Sequence, residues 1–324
     1  MTKVIQWGIL GAGQIAHQFA KDLAVVNNAQ LYAVASSNAQ RAEQFALDFM
    51  AKEAYDNYTD LAKDPNVDAI YIATPHSFHK THTLLCLNHN KAVLCEKPFA
   101  MDLKEVDEMI SLAQENDVLL MEALWTAFLP HFQFAIDKVK TQHFGKLLKL
   151  EADFGFKPEY NTESRLFNRT LGGGSLLDIG IYPIFAALTA LGEPKNIKAK
   201  ASFFPTGVDA TCHMEFNYKD ARAILRSTFL ENTKTEAAFF CENGIIKINS
   251  RFHQPSTVSL ISQSGNEETI DFNYNSIGYS FEIDHFNHLL RTQQTESDIM
   301  TFKRSRQLIK TLDTVRHNIG LSYN

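Results

Sequence analysis

Three residues of the sequence have the side-chain types and surroundings that proton transfer requires. Lys97 follows the apolar run 92–95 and Glu96, while Asp178 and Tyr182 lie four residues apart in a second apolar stretch. An ammonium group can polarise a developing alkoxide, and its pKa shifts when water is excluded. Residues four apart share one face of a helical turn. We therefore predict that Lys97, Asp178 and Tyr182 are catalytic.

Each of these residues also has a structural interpretation. Glu96 and Lys97 could be an ion pair that caps a strand. Asp178 could cap a helix, and Tyr182 could be a core aromatic with a satisfied hydroxyl. The triple glycine before Asp178 favours a site, because backbone without Cβ atoms can approach a ligand closely. Pro183 places the turn early in a helix or at a kink, since proline lacks a backbone N–H.

The N-terminal segment has the pattern of a dinucleotide-binding turn. Residues 3–10 (KVIQWGIL) form a predicted buried strand, GxGxxA follows at once from Gly11, and helical spacing comes next. In this context the first glycine permits a tight turn, and Gly13 lets the backbone approach a pyrophosphate. The amides at the helix N-terminus, at Gln14 and Ile15, would bind that anion.

The end of the second predicted strand distinguishes between the two nicotinamide cofactors. An NAD site usually places Asp or Glu there to bind the ribose hydroxyls, whereas a 2′-phosphate requires a site without that charge and a nearby cation. Residues 30–35 (QLYAVA) are followed by Ser36, Ser37 and Asn38, with Arg41 on the next turn. The pattern favours NADP as the cofactor, with NAD as the alternative.

Polar residues also follow the third predicted strand, residues 69–73 (AIYIA). A Thr-Pro-His tripeptide comes directly after it, and His76, His79 and His82 have the spacing of one helical face. No Cys, Asp or Glu lies among these histidines to complete a set of metal ligands, so we predict no metal. The predicted cofactor contacts in this region are Thr74, Pro75, His76, His79, Glu96 and Lys97.

The order of the predicted elements indicates two domains. Up to residue 122, strands alternate with amphipathic helices, which predicts a doubly wound parallel sheet of about six strands, the Rossmann fold. After a helix at 125–140, short strands joined by hairpin turns predict an α+β domain with a large open, mostly antiparallel sheet. We expect residues 1–122 to bind the dinucleotide and residues 123–324 to bind substrate and oligomerise. The C-terminal helix is expected to pack back on the first domain.

The composition is that of a globular protein, with 45% hydrophobic and 21% charged residues among 324. Its 31 basic and 37 acidic side chains give a net charge of -6, which provides no field to attract nucleic acid or an anionic membrane. Four widely spaced cysteines without a CxxC pair indicate free thiols in a reducing cytosol. Glycines interrupt the N-terminal apolar run, and no stretch is long enough to span a bilayer. We expect a cytoplasmic protein with small-molecule partners.

Aromatic residues could form the wall of a substrate pocket. The predicted pocket residues are Trp125, Phe154 and Tyr160, with Phe156 and Phe167 as further candidates. Aromatic rings can stack on a sugar or receive an aromatic diol, but aromatics in such numbers also build cores. The sequence alone does not decide between these two uses.

Four motifs resemble those of the glucose-fructose oxidoreductase, inositol dehydrogenase and MocA family. They are GILGAGQIA from Gly8, ATPHSFH from Ala73, CEKP from Cys95 and GGGSLLDIGIYP from Gly172. The resemblance covers essentially the whole chain. Tyr182 stands where many sugar and inositol dehydrogenases of the family carry histidine, which is closer to its dimeric dihydrodiol dehydrogenases and NADP-linked D-xylose dehydrogenases.

The resemblance implies a role for each matching residue. Lys97 and Tyr182 would hold or protonate the substrate oxygen, and Asp178 would orient it. The residues that would serve the cofactor are Gly11, Gly13, Ser37 and Arg41. A dimer or tetramer would form across the open sheet of the second domain, the dimer being our expectation. Relatives often carry arginine after the tryptophan, where this chain has Ala127, so that contact is not expected here.

These features predict an NAD(P)-dependent oxidoreductase. It would transfer a hydride between nicotinamide C4 and a hydroxyl- or carbonyl-bearing carbon of a sugar, polyol or dihydrodiol. One alternative is a glycosidase that oxidises its substrate transiently with tightly bound NAD. The other is a non-catalytic NADP-binding regulator that has kept the fold and lost the chemistry.

Overall fold

The computed structural model describes residues 3–323, which divide into two compact units. Unit 1 contains the chain up to Trp125 and the segment Asn275–Arg306. Unit 2 contains Thr126–Tyr274 and the chain from Gln307 onward. The sequence pattern places a single boundary after residue 122, whereas the structure returns residues 275–306 to the first unit.

The sheet of unit 1 has the strand order of a Rossmann fold. Its strands are β1 (Ile5–Leu10), β2 (Ala29–Ala35), β3 (Glu53–Tyr55), β4 (Ala69–Ile72), β5 (Ala92–Glu96) and β6 (Leu120–Ala123). All pairings are parallel, in the order β3-β2-β1-β4-β5-β6. The predicted doubly wound sheet of about six strands is confirmed. Strand β3 has no counterpart in the sequence pattern, because three residues are too few to show a period.

The sheet of unit 2 is open and mostly antiparallel, as predicted. Its strands are β7 (Leu147–Gly155), β8 (Asn196–Phe203), β9 (Asp209–Asn217), β10 (Arg222–Thr228), β11 (Ala237–Cys241), β12 (Gly244–Ile248), β13 (Val258–Ser262) and β14 (Glu267–Ile270). They lie in the order β14-β13-β12-β11-β7-β10-β9-β8. Only β7 and β10 pair in parallel within the described part of this sheet.

Nine α-helices lie in the described chain. They are α1 (Gln14–Leu23), α2 (Ala39–Phe49), α3 (Tyr58–Lys63), α4 (His79–Asn88), α5 (Leu103–Glu115), α6 (Pro130–Lys140), α7 (Ile181–Leu191), α8 (Tyr279–Arg291) and α9 (Phe302–Ile319). The helix predicted at 125–140 is a short 3₁₀ turn, Trp125–Phe128, followed by α6. Pro130 starts α6 because it needs no N–H partner at a first helical position.

The helix starts of unit 1 differ in a way that bears on function. Asn38, Asn57 and Asp102 cap α2, α3 and α5 by accepting a hydrogen bond from the backbone N–H three residues on, each at 2.9 Å. In contrast, the N-cap residue of α1 is Gly13, which has no side chain to cap it, and α4 and α8 also begin without a side-chain cap. The first-turn amides of α1 therefore remain oriented towards an external acceptor.

Buried polar contacts fix α8 within unit 1. The carboxylate of Asp22, on α1, accepts hydrogen bonds from the backbone N–H groups of Ile277 and Ser280, each at 3.1 Å. Trp7 of β1, which is fully buried, donates its indole N–H to Asn287 at 3.1 Å. These long-range bonds hold α8 in unit 1, although it follows the strands of unit 2 in the sequence.

Contrary to the expectation from the sequence, one helical stretch of the described chain is apolar and long enough to cross a membrane. It runs through Arg169–Leu191, with a mean hydropathy of 1.6, and 83% of its most apolar window is buried inside the protein. The stretch includes α7, which packs on β7 and β10. Its hydrophobicity is that of a core helix covered by its own sheet.

Glu282, on α8, is a fully buried carboxyl group in unit 1. Neither of its carboxyl oxygens has a hydrogen-bond partner among the described residues. Burial raises the pKa of Glu282 well above its ordinary value of 4.5, and the negative charges of Glu96 and Asp22 raise it further. Burial therefore favours the protonated form of Glu282 in the folded protein, and folding is coupled to proton binding there.

We predict that Glu282→Gln makes the free energy of unfolding less dependent on pH. As the pH rises above 4.5 the unfolded chain ionises at Glu282 before the folded chain does, so in this window the group destabilises the wild type by up to about 1.4 kcal/mol per pH unit. Urea unfolding between pH 5 and 8 should show a shallower loss of stability in the variant. Glu43→Gln, on the exposed face of α2, is the matched control and should keep the wild-type slope.

Candidate active site residues

Gly11 forms the tight turn between β1 and α1. Its φ of +102° lies in a region that side chains rarely adopt. A Cβ atom there would lie 3.0 Å from the carbonyl oxygen of Ala73 and from Cγ2 of Thr74. The ends of β1 and β4 therefore approach as closely as they do only because residue 11 is glycine.

Gly13 has a different environment, which fits a dinucleotide. A Cβ atom at this position would meet no atom within 4 Å, and both Gly13 and Gln14 are exposed. Ile15, also in the first turn of α1, is partly buried. The open space before an uncapped helix N-terminus is the arrangement that binds a pyrophosphate.

The residues predicted to contact the cofactor after β2 differ in their exposure to solvent. Ser36 is buried, and its hydroxyl accepts a hydrogen bond from the Asn38 N–H at 3.2 Å, so it shapes the turn. Ser37 and Arg41 are exposed. No carboxylate follows this strand directly. Of the residues predicted here, Ser37 and Arg41 are therefore available to a cofactor phosphate, and Ser36 supports them.

The polar residues after β4 form a hydrogen-bonded cluster. His79 is fully buried, with Nδ1 2.8 Å from the carbonyl oxygen of Pro98 and Nε2 2.8 Å from that of Thr74. The Thr74 hydroxyl lies 3.0 Å from Nδ1 of His82. Burial lowers the pKa of His79 to about 4, which the two carbonyl contacts oppose. At neutral pH its neutral ring can donate to only one of the two carbonyls.

These contacts change the interpretation of the histidines. His79, predicted to contact the cofactor, instead joins the turn after β4 to the turn after β5. Pro75 precedes the short 3₁₀ turn His76–Phe78, and His76 lies buried next to His79, with ring centroids 5.7 Å apart. Among residues 3–323, no three His, Cys, Asp or Glu side chains are grouped so that they could hold a metal ion.

Lys97 lies at the end of β5 next to a buried carboxylate. Glu96 is 8% exposed, accepts a short hydrogen bond from the Tyr71 hydroxyl and accepts another from the Lys97 backbone N–H at 3.1 Å. The peptide bond between Lys97 and Pro98 is cis. Lys97 itself is partly exposed. Glu96 therefore anchors the turn, as its structural interpretation predicts, and Lys97 is the member of the pair that a ligand can reach.

Trp125, a predicted pocket residue, lies in unit 1. Its ring stacks on that of Tyr279, with centroids 4.4 Å apart and planes at 26°. Tyr279 is the first residue of α8 and is buried, whereas Trp125 is partly exposed. The stacked pair gives unit 1 a flat apolar surface of the kind that binds a ring.

In unit 2, Asp178 forms an ion pair that the sequence does not reveal. Its carboxylate is 5% exposed and lies 3.0 Å from Nη1 of Arg165, whose side chain is 40% exposed. Asp178 belongs to a π-helical turn, Leu176–Gly180, which continues into α7. A carboxylate buried in this way requires a partner, and Arg165 supplies it.

The triple glycine before this turn packs closely against neighbouring groups. A Cβ atom on Gly173 would lie 2.7 Å from the carbonyl oxygen of Arg165, and one on Gly174 would lie 2.2 Å from Oδ1 of Asp209. The sequence predicts that these glycines let the backbone approach a ligand. In the structure Gly173 lets the backbone of residues 165–168 approach it, and Gly174 leaves room for the side chain of Asp209.

Tyr182 lies in the first turn of α7 among aromatic rings. It is 5% exposed, and its ring centroid is 5.0 Å from that of His253 and 5.7 Å from that of Phe154. His253 stacks on Phe154 at 4.1 Å. Pro183 follows directly, so the turn lies early in the helix, as predicted. Phe154, a predicted pocket residue, thus lies beside Tyr182.

Tyr160 is not grouped with these residues. It is 48% exposed and packs on Phe167 and Phe204, with centroids 4.9 and 5.5 Å away. Phe167 belongs to a buried cluster with Ile179 and Phe229, against which Phe154 and Phe156 both pack. Tyr160 contacts this cluster through Phe167, while Phe154 also contacts the rings of Tyr182 and His253.

The sequence pattern misses two residues of unit 2. Arg165 lies in the polar loop after β7, where an arginine is by default a solvated side chain. His253 follows β12, with no motif around it. Ala127, where relatives often carry arginine, is buried, and its carbonyl accepts a hydrogen bond from the Gln133 side chain at 3.1 Å. No signal in the sequence separates Arg165 or His253 from surface residues.

Unit 1 is a Rossmann domain whose glycine turn, uncapped α1 and strand-end lysine define a nucleotide-dependent oxidoreductase. Two family descriptions match the chain. The "Oxidoreductase family, NAD-binding Rossmann fold" matches residues 5–124, and the "GFO/IDH/MocA C-terminal domain" matches residues 132–247. The chain belongs to the GFO/IDH/MocA family, which confirms the resemblance of its motifs.

Similar proteins extend over essentially the full length of the chain. A trans-1,2-dihydrobenzene-1,2-diol dehydrogenase from Xenopus tropicalis is 32% identical, covering 98% of this chain and 99% of its own. The scyllo-inositol 2-dehydrogenase (NADP(+)) IolU of Bacillus subtilis is 33% identical, covering 99% and 98%. These relatives are dehydrogenases, in agreement with the predicted class of enzyme.

Solved structures show the same fold. A 3-ketoreductase from Actinomadura kijaniata, in complex with NADP and TDP-benzene, has a TM-score of 0.89 at 23% identity, covering 97% of this chain and 98% of that chain. An aldose-aldose oxidoreductase from Caulobacter crescentus, complexed with glycerol, has a TM-score of 0.89 at 22% identity, covering 98% and 97%. At this identity the likeness concerns the fold.

We predict that alanine has different effects at the two glycines of the turn. Gly11→Ala should lower the melting temperature by several degrees, because the new Cβ atom is strained and crowded by Ala73 and Thr74. Gly13→Ala should melt like the wild type but weaken NADPH binding about tenfold, since its Cβ atom would enter the space that the pyrophosphate needs.

Thermal melting and fluorescence titration with NADPH measure the two effects separately. Gly192→Ala, at an open position of unit 2, is a control for positive φ without crowding. Unchanged NADPH affinity in Gly13→Ala would contradict the assignment of the α1 N-terminus to the pyrophosphate.

Proposed function

We propose that the protein is an NADP-dependent dehydrogenase or reductase. Its substrate is a sugar, polyol or dihydrodiol with a hydroxyl- or carbonyl-bearing carbon. The observation that carries the proposal is the partly exposed Lys97 at the end of β5, in the same sheet whose β1 leads into the glycine turn and the uncapped α1. Ligands of such sheets bind at the carboxyl ends of the strands.

The preference for NADP is supported by the end of β2. Ser37 and Arg41 are exposed there, and no carboxylate follows the strand directly to repel a 2′-phosphate. The guanidinium group is planar and suits phosphate recognition. The name of the Bacillus subtilis relative includes NADP(+), which agrees with this preference.

The bound nicotinamide would supply or accept the hydride. The residues of this chain bind and orient the substrate and move the proton. Lys97 is proposed to polarise the substrate oxygen with its ammonium group, Tyr182 to exchange a proton with it, and Asp178 to orient it. The guanidinium group of Arg165 lies 3.0 Å from the buried carboxylate of Asp178 and gives it a hydrogen-bond donor.

The aromatic surfaces support a cyclic substrate. In unit 1, Trp125 stacks on Tyr279, and in unit 2, Phe154 and His253 lie beside Tyr182. Such faces bind the apolar side of a sugar, an inositol or a dihydrodiol. The two relatives described above are named for an inositol and for a dihydrodiol. Nothing in the structure favours a glycosidase or a non-catalytic regulator over this assignment.

We predict net formation of reduced cofactor with at least one member of a panel of aldoses, inositols and trans-dihydrodiols. Each compound is assayed with NADP and with NAD, and absorbance at the band of reduced nicotinamide is followed. Rates with NADP should exceed those with NAD, because Arg41 and Ser37 favour the phosphate. Turnover without accumulation of reduced cofactor would instead identify the glycosidase alternative.

We predict that Lys97→Met lowers turnover about a thousandfold or more and leaves NADPH binding nearly intact. The variant removes the ammonium group that polarises the substrate oxygen while keeping the length of the apolar stem. Lys104→Met, at an exposed position of α5, is the matched control and should retain wild-type turnover. If Lys97→Met remained active, the catalytic assignment of Lys97 would be wrong.

We further propose that the protein is a homodimer that associates through the outer face of the unit 2 sheet. The inner face packs on α6 and α7. The outer face has a hollow of about 610 Å³ lined by charges of both signs, among them Glu151, Glu215 and Arg226. Ile224, 39% exposed, lies between Glu151 and Glu215 on the neighbouring strands. Self-complementary charge around an apolar centre suits a two-fold interface.

We predict that Ile224→Asp converts the dimer to a monomer, because a carboxylate at the centre of this face would be buried beside two others. Sedimentation equilibrium gives the molar mass, which should be twice that of one chain in the wild type. Leu47→Asp, a similar change at a position of unit 1 that is 75% exposed, is the control. A monomeric wild type would contradict the proposal.

We propose a cytoplasmic location on the basis of the cysteines. All four are free thiols, and Cys86, Cys95 and Cys212 are buried. Burial raises the pKa of the Cys86 thiol to about 12 and that of Cys241 to about 11, so these groups are unreactive. Unpaired thiols are usual in a reducing compartment. Fractionation of the source cells followed by immunoblotting tests this location.

A further inference from the structure

The C-terminal residues of unit 2 contact the loop that carries Arg165. The hydroxyl of Tyr323 donates a hydrogen bond to the carbonyl oxygen of Gly173 at 2.7 Å. On the other side of the loop, Nε of Arg169 donates to the carbonyl oxygen of Ser322 at 2.7 Å. The guanidinium group of Arg316 lies 5.4 Å from the centre of the Tyr323 ring. The segment 321–323 is thus fastened to the loop at two points, and its aromatic ring is held from α9.

Gly173 is the point at which this loop closes on itself. Its N–H donates to the carbonyl oxygen of Asn168 at 3.0 Å, and the N–H of Gly174 donates to that of Leu166 at 2.9 Å. The absence of a side chain on Gly173 lets it touch the backbone of residues 165–168. A group that holds the carbonyl of Gly173 therefore also limits the movement of Arg165.

Arg165 in turn determines the environment of Asp178. Its Nη1 lies 3.0 Å from Oδ1 of that carboxylate. The side chain of Arg165 is 40% exposed. The phenol of Tyr323 is close enough to this region that its pKa is raised by burial and then by the carboxylates of Asp209 and Asp178. Contacts thus run continuously from Tyr323 through Gly173 and Arg165 to Asp178.

We propose that Tyr323 is a positioning residue for substrate binding, which holds the loop 164–174 so that Arg165 remains paired with Asp178. This inference rests on the proposed function, in which Asp178 orients the substrate. Tyr323 acts through the loop, so the organic substrate is affected and the cofactor is not. The C-terminal segment thereby contributes to specificity without contacting the substrate.

The test compares Tyr323→Phe with the wild type. The variant keeps the ring beneath Arg316 and removes one hydrogen bond, so kcat/KM for the organic substrate should fall about fivefold while the Kd of NADPH stays unchanged. Hydrogen exchange by mass spectrometry should show faster exchange in the peptide that contains residues 164–174. This second measurement needs no turnover, so it remains informative if the proposed enzyme activity fails.

A matched control and a double variant distinguish positioning from general stability. Tyr218, on the hairpin after β9, has a buried hydroxyl with no hydrogen-bond partner among the described residues, so Tyr218→Phe should leave both measurements unchanged. In an Arg165→Ala background, Tyr323→Phe should cause no further loss of kcat/KM, because the pair that it positions is already absent.

Three results would overturn the proposal. Unchanged exchange of residues 164–174 would show that Tyr323 does not hold the loop. Faster exchange with unchanged kcat/KM would show that the loop does not influence the substrate. An undiminished effect of Tyr323→Phe in the Arg165→Ala background would show that Tyr323 acts by another route. An inactive wild type would refute the proposed function and leave the exchange result to test the contact with the loop.

Discussion

The burial of the Glu96 carboxylate constrains much of unit 1. A charge at the end of a central strand requires hydrogen-bond donors, and the Tyr71 hydroxyl and the Lys97 N–H supply them. Tyr71 is held in turn by stacking on Phe19 of α1, with ring centroids 3.7 Å apart. Burial raises the pKa of Glu122 to about 7, with a smaller contribution from Glu96, and Glu96 also contributes to the raised pKa of Glu282 after burial. The buried Glu96 carboxylate thus favours the protonated forms of its acidic neighbours and fixes the turn that carries Lys97.

Unit 2 also contains a buried carboxylate, which is stabilised in a different way. Asp178 is as deeply buried as Glu96, but its partner is a cation on a surface loop. A loop residue is less constrained than a strand residue, so the environment of Asp178 depends on whatever holds the loop. The glycines 172–174 and the C-terminal segment provide that support. The two buried carboxylates therefore differ in what holds them. Glu96 belongs to a strand of the sheet, whereas Asp178 depends on contacts with residues that are distant in the sequence.

The sequence predicts the features that are local. Three such features can be predicted because their chemistry depends on near neighbours in the sequence. They are the glycines Gly11 and Gly13, the strand that ends at Lys97, and the turn from Asp178 to Tyr182. The roles of Arg165, His253 and Tyr323 cannot be predicted from the sequence. Each of these residues depends on contacts with residues 13 to 150 positions away. The segment 275–306 belongs to unit 1 through contacts of the same kind, since Asp22 holds it from 255 positions away. The buried position of His79 between two backbone carbonyl groups is likewise not visible in its spacing.

The π-helical turn Leu176–Gly180 affects the angle between the side chains of Asp178 and Tyr182 around the helix axis. Such a turn is an α-helical turn with one residue inserted, and each residue advances a helix by about 100°. Loss of a single residue between Asp178 and Tyr182 would restore regular hydrogen bonding and rotate the carboxylate by more than a quarter of a turn relative to the phenol. A regular α-helix in this segment would therefore change the angle between the two side chains. This chain keeps the π-helical turn and, with it, the angle.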